Sequence, residues 1–165
     1  MMNDTEEIRQ SFKPDNIRIL LIGESAPASG QFFYKHSRMT RYVAQAFTHV
    51  FNKPFDDDST FLKFFQEKGC YLDDLALSPV NHMTAKQRNK TLEDSIVHLS
   101  QRITDHNPDV IVIVLKRIAK YVIKAIELSK KSCPVYTLPF PGYGRQNKFI
   151  SEFSGILKAY LKGET

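Results

Sequence analysis

The stretch IRILLIG, residues 17–23, is a short apolar run that ends at a glycine. Such a run is typical of a strand that is buried on both faces of a parallel sheet. Three further segments predict strands: CYLDDLALSP at 70–79, in which a strand gives way to a loop with Asp73, Asp74 and Pro79, VIVIVL at 110–115 and PVYTL at 134–138. Segments with helical spacing lie between them, such as the stripe of Tyr42, Ala46 and Val50. The alternation predicts a three-layer αβα fold of the α/β class, with a four-stranded, mainly parallel sheet.

The length of 165 residues corresponds to one ordinary domain. We expect residues 1–16, which are largely polar, to form a flexible N-terminal lead-in, and residues 17–165 to form a single domain. No apolar run approaches the ~20 residues of a membrane helix. The acidic start of the chain does not resemble a signal or transit peptide. We therefore expect a cytoplasmic monomer that does not contact a membrane.

The cysteines and the charge limit the possible partners. Cys70 and Cys133 are isolated, so we expect reduced thiols, no metal site and no cofactor. Residues 1–80 carry 9 basic and 11 acidic side chains, and residues 81–165 carry 14 and 7, so the two parts have net charges of −2 and +7. A basic second half suits a polyanionic partner such as DNA or a nucleotide, although many basic proteins bind no nucleic acid.

Three loops follow the carboxyl ends of predicted strands, where such sheets bind ligands: 23–36, 73–83 and 138–147. In the first loop, Gly23 would let a ligand approach the backbone, and Glu24 could hold a water molecule. The aromatic residues Phe32, Phe33 and Tyr34 offer a flat face for a base. The alternative is that these aromatics only cover the edge of the sheet.

The last loop, LPFPGYGRQNK at 138–148, combines two prolines and two glycines with a polar, basic end that leads into a helix. A helix start flanked by cations is suited to binding phosphate. The alternative is a rigid connection with solvated charges. The first loop carries neither the GxxxxGK[ST] nor the GxGxxG phosphate motif.

These loops resemble motifs of the uracil-DNA glycosylase superfamily. GESAP, residues 23–27, is similar to the family motifs GEAPG and GQDPY, and GQFFYKHSR, residues 30–38, is similar to GxPFVGxSG. YLDDLAL, residues 71–77, resembles YITNVV, and LPFP, residues 138–141, resembles HPSP. The resemblance implies a four-stranded parallel sheet between helices. It also implies a protein that binds single- or double-stranded DNA or a nucleotide, and that excises a deaminated base by hydrolysing its N-glycosidic bond.

The resemblance also implies roles for individual residues. Glu24 would be the catalytic residue that orients a water molecule towards C1′ of the sugar, Phe33 would stack on the base, and Asp74 would read its edge. The full substrate-binding set that it implies is Gly23, Ser25, Ala26, Phe33, Asp74, Leu138 and Phe140. The set that it implies for the flanking nucleic acid is Pro139, Pro141, Arg145, Gln146, Asn147 and Lys148.

The chain departs from the family pattern where the chemistry is most demanding. Leu138 replaces the histidine of the HPSP motif, and Phe140 replaces its serine. Asp74 replaces the asparagine of the second-strand motif. One branch of the family holds an iron–sulfur cluster with four cysteines, which the two cysteines of this chain cannot build. Losing one preorganised donor to a developing anion typically costs about 10²–10³ in rate. Two alternatives to a DNA N-glycosylase therefore stay open. One is a non-catalytic nucleic-acid or nucleotide-binding module of the same fold, and the other is an unrelated α/β protein that binds a small phosphorylated ligand.

Overall fold

The computed structural model describes residues 3–162. Its four strands are β1 (Ile19–Gly23), β2 (Cys70–Asp74), β3 (Val110–Ile113) and β4 (Val135–Thr137). They form one sheet in the order β2-β1-β3-β4, in which every neighbouring pair is parallel. All residues of β1, β2 and β3 are buried. The predicted fold class is confirmed, with a sheet that is entirely parallel.

Seven α-helices accompany the sheet within residues 3–162. They are α1 (Asp4–Ser11), α2 (Arg38–Phe51), α3 (Asp58–Glu67), α4 (Ala85–Asp94), α5 (Ile96–His106), α6 (Ala119–Ser129) and α7 (Gln146–Tyr160). Short 3₁₀ turns lie at Phe33–Lys35 and Lys116–Ile118. The longest helix, α7, has 15 residues, and in the described part of the chain no helix is long and apolar enough to cross a membrane.

The strand order explains why the helices form two layers. The connection from β1 to β2 runs through α2 and α3, and the connection from β2 to β3 runs through α4 and α5 in the opposite direction across the sheet. Because parallel crossovers are right-handed, these two connections lie on opposite faces. The helices pair accordingly, with α2 against α7 and α5 against α6.

The N-terminal segment differs from the expected flexible lead-in. Residues 4–11 form α1, which begins where the Asn3 side chain accepts a hydrogen bond of 2.9 Å from the Glu6 N–H. Arg9 in this helix is only 1% exposed. Its arginine donates a buried hydrogen bond to the Asp74 carboxylate at the end of β2, an interaction that residue composition does not reveal. Met1 and Met2 lie outside the described residues.

Candidate functional site

The path of the chain through the sheet reverses beside β1. From β1 the chain crosses to β2 on one side, and from β2 it returns to β3 on the other side. Open parallel sheets bind ligands at such a switch point, outside the carboxyl ends of the strands. Glu24 directly follows β1, and Arg117 lies in the 3₁₀ turn after β3. The switch point therefore brings together two charged residues that are 93 positions apart in the chain.

Glu24 and Arg117 form a two-pronged ion pair across this point. Arg117 donates from Nη2 to Oε1 of Glu24 at 2.8 Å and from Nε to Oε2 at 3.2 Å. The Glu24 side chain is 13% exposed, whereas the Arg117 side chain is 57% exposed. The carboxylate is therefore sheltered, and the guanidinium reaches it from the solvent side.

The backbone around Glu24 is fixed by the end of β2. The Leu75 N–H donates to the Gly23 carbonyl at 2.8 Å, and the Ala76 N–H donates to the Glu24 carbonyl at 2.9 Å. These bonds continue the pairing of β1 and β2 past the end of both strands. The backbone position of Glu24 is consequently fixed by these hydrogen bonds, although Glu24 belongs to a loop.

A cavity of about 220 Å³ opens beside the ion pair. We call it the switch-point pocket, and it is lined by Glu24, Ala85, Arg88, Asn89, Leu92, Arg117, Lys120 and Tyr121. The lining includes three cationic side chains and one carboxylate, so its net charge is +2. Its volume is below the ~300 Å³ at which sites for drug-sized ligands begin. The pocket therefore suits an anionic group or a single ring.

Helix α4 carries Arg88 into this pocket. The helix begins with a capping box in which Thr84 Oγ1 accepts from the Gln87 N–H at 3.2 Å and Gln87 Oε1 accepts from the Thr84 N–H at 3.0 Å. Leu92, one turn after Arg88 on the same face, is 2% exposed and anchors the helix on the core. Within residues 3–162, Arg88 Nε is buried and has no hydrogen-bond partner.

The rest of the first loop is fastened to the loop after β2. Ser25 Oγ accepts from the Val80 N–H at 3.3 Å, and the Ala28 N–H donates to Asn81 Oδ1 at 3.1 Å. Ala26 is partly buried against the core. Ser25 and Ala26, which we expected in the substrate-binding set, thus hold the loop in place, and they are not among the residues that line the switch-point pocket.

The three aromatic residues of this loop face inward. Phe33 is 4% exposed, and its ring lies 5.0 Å from that of Tyr34 and 5.2 Å from that of Phe65. The Tyr34 hydroxyl accepts a hydrogen bond of 2.7 Å from the Leu72 N–H in β2, which is an edge strand. Contrary to the prediction, Phe33 offers no open face for stacking. The structure instead fits the alternative, in which the aromatics cover the edge of the sheet. Burying these rings removes apolar surface from water and so stabilises the fold.

Asp74 is also enclosed, although we expected it to read a base. It is 5% exposed, and its Oδ2 accepts a hydrogen bond of 2.6 Å from Arg9 Nη2. Burial raises the pKa of its carboxyl group to about 6, against the opposing effect of Arg9. A Cβ atom on Gly23 would lie 2.7 Å from Asp74 Oδ1. Gly23 therefore makes room for this carboxylate, and its expected contact with a ligand stays a prediction.

The neighbouring Asp73 belongs to the same polar cluster. Its Oδ2 accepts from Arg102 Nε at 2.8 Å and lies 3.2 Å from His106 Nε2. Burial alone would raise the pKa of Asp73, but the His106 hydrogen bond and the Arg102 charge outweigh it and hold the pKa well below its usual range. Arg102 Nη2 also donates to the Asp74 carbonyl at 2.6 Å. The end of β2 is thus held by arginines from α1 and α5.

The last loop lies at a different place from the switch-point pocket. Leu138 is 4% exposed, its N–H donates to the Ile113 carbonyl at 2.8 Å, and it lines a separate cavity of about 410 Å³ between β4 and α7. Pro139 and Pro141 are buried, whereas Phe140 is 41% exposed. Leu138 and Phe140 therefore do not join Glu24 in one pocket, contrary to the expected substrate-binding set.

The polar end of the last loop lies on the surface, as a set of phosphate contacts requires. Arg145 occupies the position before the first turn of α7 and is exposed, as are Asn147 and Lys148. Gln146 Nε2 donates to the Tyr42 hydroxyl at 3.4 Å. Their contact with nucleic acid stays a prediction. None of these residues lines the switch-point pocket.

The cations of the pocket were not predicted from the sequence: Arg88, Arg117 and Lys120. The predicted loops follow three strands and leave out the turn after β3, where Lys116 and Arg117 come directly after the apolar run 110–115. Applying the carboxyl-end rule to every strand would have found Arg117. Arg88 and Lys120 lie on helices, and no local signal distinguishes them from solvated lysines and arginines.

The comparisons with known proteins add no relative. No protein-family model matches the chain, and no curated protein sequence matches it.

Proposed function

We propose that this protein binds nucleic acid or a nucleotide at the switch-point pocket, in a fold of the uracil-DNA glycosylase type. The observation that carries the proposal is the position of Glu24: a sheltered carboxylate at the switch point of a parallel sheet, in a pocket whose other charged residues are cations. A ligand there meets positive charge for phosphate and one acidic group for hydrogen bonding or acid–base chemistry.

The charge distribution supports a polyanionic ligand beyond the pocket. Residues 81–165 carry a net charge of +7 and supply Arg88, Arg117 and Lys120 to the pocket. The exposed residues Arg145 and Lys148 belong to the same half of the chain. Phosphates that these side chains neutralise would release counterions, so binding should weaken steeply as salt rises.

A second candidate function, excision of a base, is favoured by the place of Glu24 in the chain. Glu24 follows the first strand, where the resembling GEAPG and GQDPY motifs have their water-activating residue. In this reaction the target base leaves the stack, and Glu24 orients water towards C1′ of the sugar. Arg117 must first release the carboxylate, which its solvent-exposed side chain is free to do. Neither Leu138 nor Phe140 carries a side-chain donor for the departing base.

Binding is tested by fluorescence anisotropy with labelled single- and double-stranded oligonucleotides over a range of salt concentrations. We expect Arg88→Gln and Lys120→Gln to weaken binding and to reduce its dependence on salt. Lys86→Gln and Lys124→Gln remove the same charge from the same helices but lie outside the pocket lining, so they are the matched controls. Equal effects of all four variants, or no binding at any salt concentration, would contradict the proposal.

Excision is tested with oligonucleotides that carry uracil, hypoxanthine or xanthine, followed by alkaline cleavage of abasic sites. If the protein excises a base, Glu24→Gln abolishes strand scission, and Glu93→Gln on the exposed side of α4 does not. Salt-sensitive binding without scission of any substrate would instead identify a non-catalytic binding module.

A further inference from the structure

The switch-point pocket has more positive charge than its own carboxylate neutralises. Arg88, Arg117 and Lys120 face one acidic residue, Glu24, which itself engages Arg117. Lys120 Nζ lies 5.0 Å from the centre of the Tyr121 ring, which defines one side of the pocket. We infer that this pocket binds a dianionic terminal phosphate, carried by the end of a nucleic-acid strand or by a free nucleotide.

The net charge favours a terminal phosphate over one inside a strand. Three cations and one carboxylate leave two positive charges in the pocket. A phosphomonoester carries about −1.5 to −2 charges at neutral pH, whereas a phosphodiester carries one. A terminal phosphate therefore neutralises the pocket, and a diester leaves one positive charge unpaired.

Arg88 lines the pocket with a group that is suited to phosphate. Phosphate oxygens are the acceptors that an arginine fork matches best, since two parallel N–H groups bind two oxygens. The small volume of about 220 Å³ fits a phosphate group whose nucleoside extends outside.

Phosphate binding would also change the state of Glu24. Arg117 is the only one of the three cations for which a hydrogen bond to Glu24 is observed in the described part of the chain. A phosphate that recruits Arg117 competes with the carboxylate for the same N–H groups. Glu24 is then released to contact a water molecule or the rest of the ligand. This inference rests on the proposed nucleotide or nucleic-acid binding, because it identifies which part of that ligand the pocket takes.

The test compares ligands that differ only in a terminal phosphate. Anisotropy is measured with one single-stranded oligonucleotide that ends in a 5′-phosphate, a 3′-phosphate or hydroxyl groups alone. Calorimetry compares a deoxynucleoside 5′-monophosphate with the unphosphorylated deoxynucleoside. We expect the phosphorylated member of at least one set to bind about tenfold tighter or more, the size of one charge-assisted hydrogen bond.

Variants then assign the preference to this pocket. Arg88→Gln and Arg117→Gln should remove the phosphate preference, and Lys86→Gln should keep it. Glu24→Gln should strengthen phosphate binding, because it removes the competing negative charge and frees Arg117. A role of Glu24 in folding alone would not produce tighter binding.

The outcomes separate this inference from the proposed function. Oligonucleotides that bind equally well with and without a terminal phosphate, together with no phosphate preference among the nucleosides, would overturn the inference and leave nucleic-acid binding standing. A phosphate preference confined to the free nucleotide, with no oligonucleotide binding, would support the inference and overturn binding to strands. A preference that survives both arginine substitutions would also overturn it.

Discussion

Arg9 Nη2, in the first helix, donates a hydrogen bond of 2.6 Å to the carboxylate of Asp74, 65 residues later at the end of β2. Both side chains are buried. Arg9 also pairs with Glu6 and lies 5.6 Å from the centre of the Phe32 ring. The N-terminal helix therefore supplies the cation that pairs with the acidic end of the second strand.

Replacing Arg9 with methionine should strongly destabilise the protein. The substitution keeps a long side chain but leaves Asp74 buried without its cation, and breaking one side of a buried ion pair costs roughly 3–5 kcal/mol. Urea denaturation at pH 7 measures the loss. Arg117→Met is the control, because the Arg117 side chain is solvent-exposed and such an ion pair contributes about 1 kcal/mol or less. A loss of about 1 kcal/mol or less for Arg9→Met would contradict a structural role of Arg9.

The stability of the protein should depend on the protonation of Asp74. Burial raises its pKa to about 6 in the folded protein, whereas an unfolded aspartate titrates near 3.9. The folded state therefore favours the protonated form, so this contribution to stability is fully present only well below pH 4 and is lost as the pH rises through about 6. We expect the free energy of unfolding to fall by roughly 2 kcal/mol between pH 4 and pH 7.

The variant Asp74→Asn isolates this effect, since the amide does not titrate. Urea denaturation at several values between pH 4 and pH 7 should show a much smaller slope for the variant than for the unmodified protein. The lowered pKa of Asp73 acts at lower pH, because its contribution is present above about pH 4 and is lost as the pH falls further. Parallel stability profiles for the two proteins would contradict a raised pKa at Asp74.

Gly23 and Gly155 should respond in opposite directions to substitution by alanine. At Gly23 the added Cβ would lie 2.7 Å from Asp74 Oδ1, so the buried carboxylate must shift and its bond to Arg9 weakens. At Gly155, within α7, a Cβ meets no atom within 4 Å. Alanine there should stabilise the helix by about 0.5–1 kcal/mol. Thermal denaturation of both variants measures the contrast, and a stable Gly23→Ala protein would argue against close packing at the end of β1.

The sheet was predictable because each strand carries a local signal. Runs such as 19–23 and 110–115 are apolar without alternation, which is typical of strands that are covered on both faces of a parallel sheet. The position of Glu24 followed from the same logic, since it comes directly after a strand. The order of the strands leaves no such local signal, because it depends on how distant segments pair. That order nevertheless fixes the switch point and hence the partner of Glu24.

The burial of the polar and aromatic loop residues was less predictable. Phe33 and Asp74 stand in loop or strand-end positions that suit a binding site equally well. What encloses them is Arg9 and Phe65, which approach from distant parts of the chain. Such contacts depend on tertiary packing, which overrides local pattern. Motif spacing indicated where these residues lie but not which way they face.

Phe33 gives a direct test of packing against base stacking. Its ring is packed against Tyr34 and Phe65, so Phe33→Ala should lower the free energy of unfolding by about 3–5 kcal/mol. Phe33→Leu keeps most of the buried volume and should remain folded. Because the side chain has no open face, this variant should bind oligonucleotides as tightly as the unmodified protein does. Stacking on an aromatic ring contributes about 1–3 kcal/mol per base, so a folded Phe33→Leu protein that has lost about tenfold or more in affinity would show that Phe33 turns outward to meet a base.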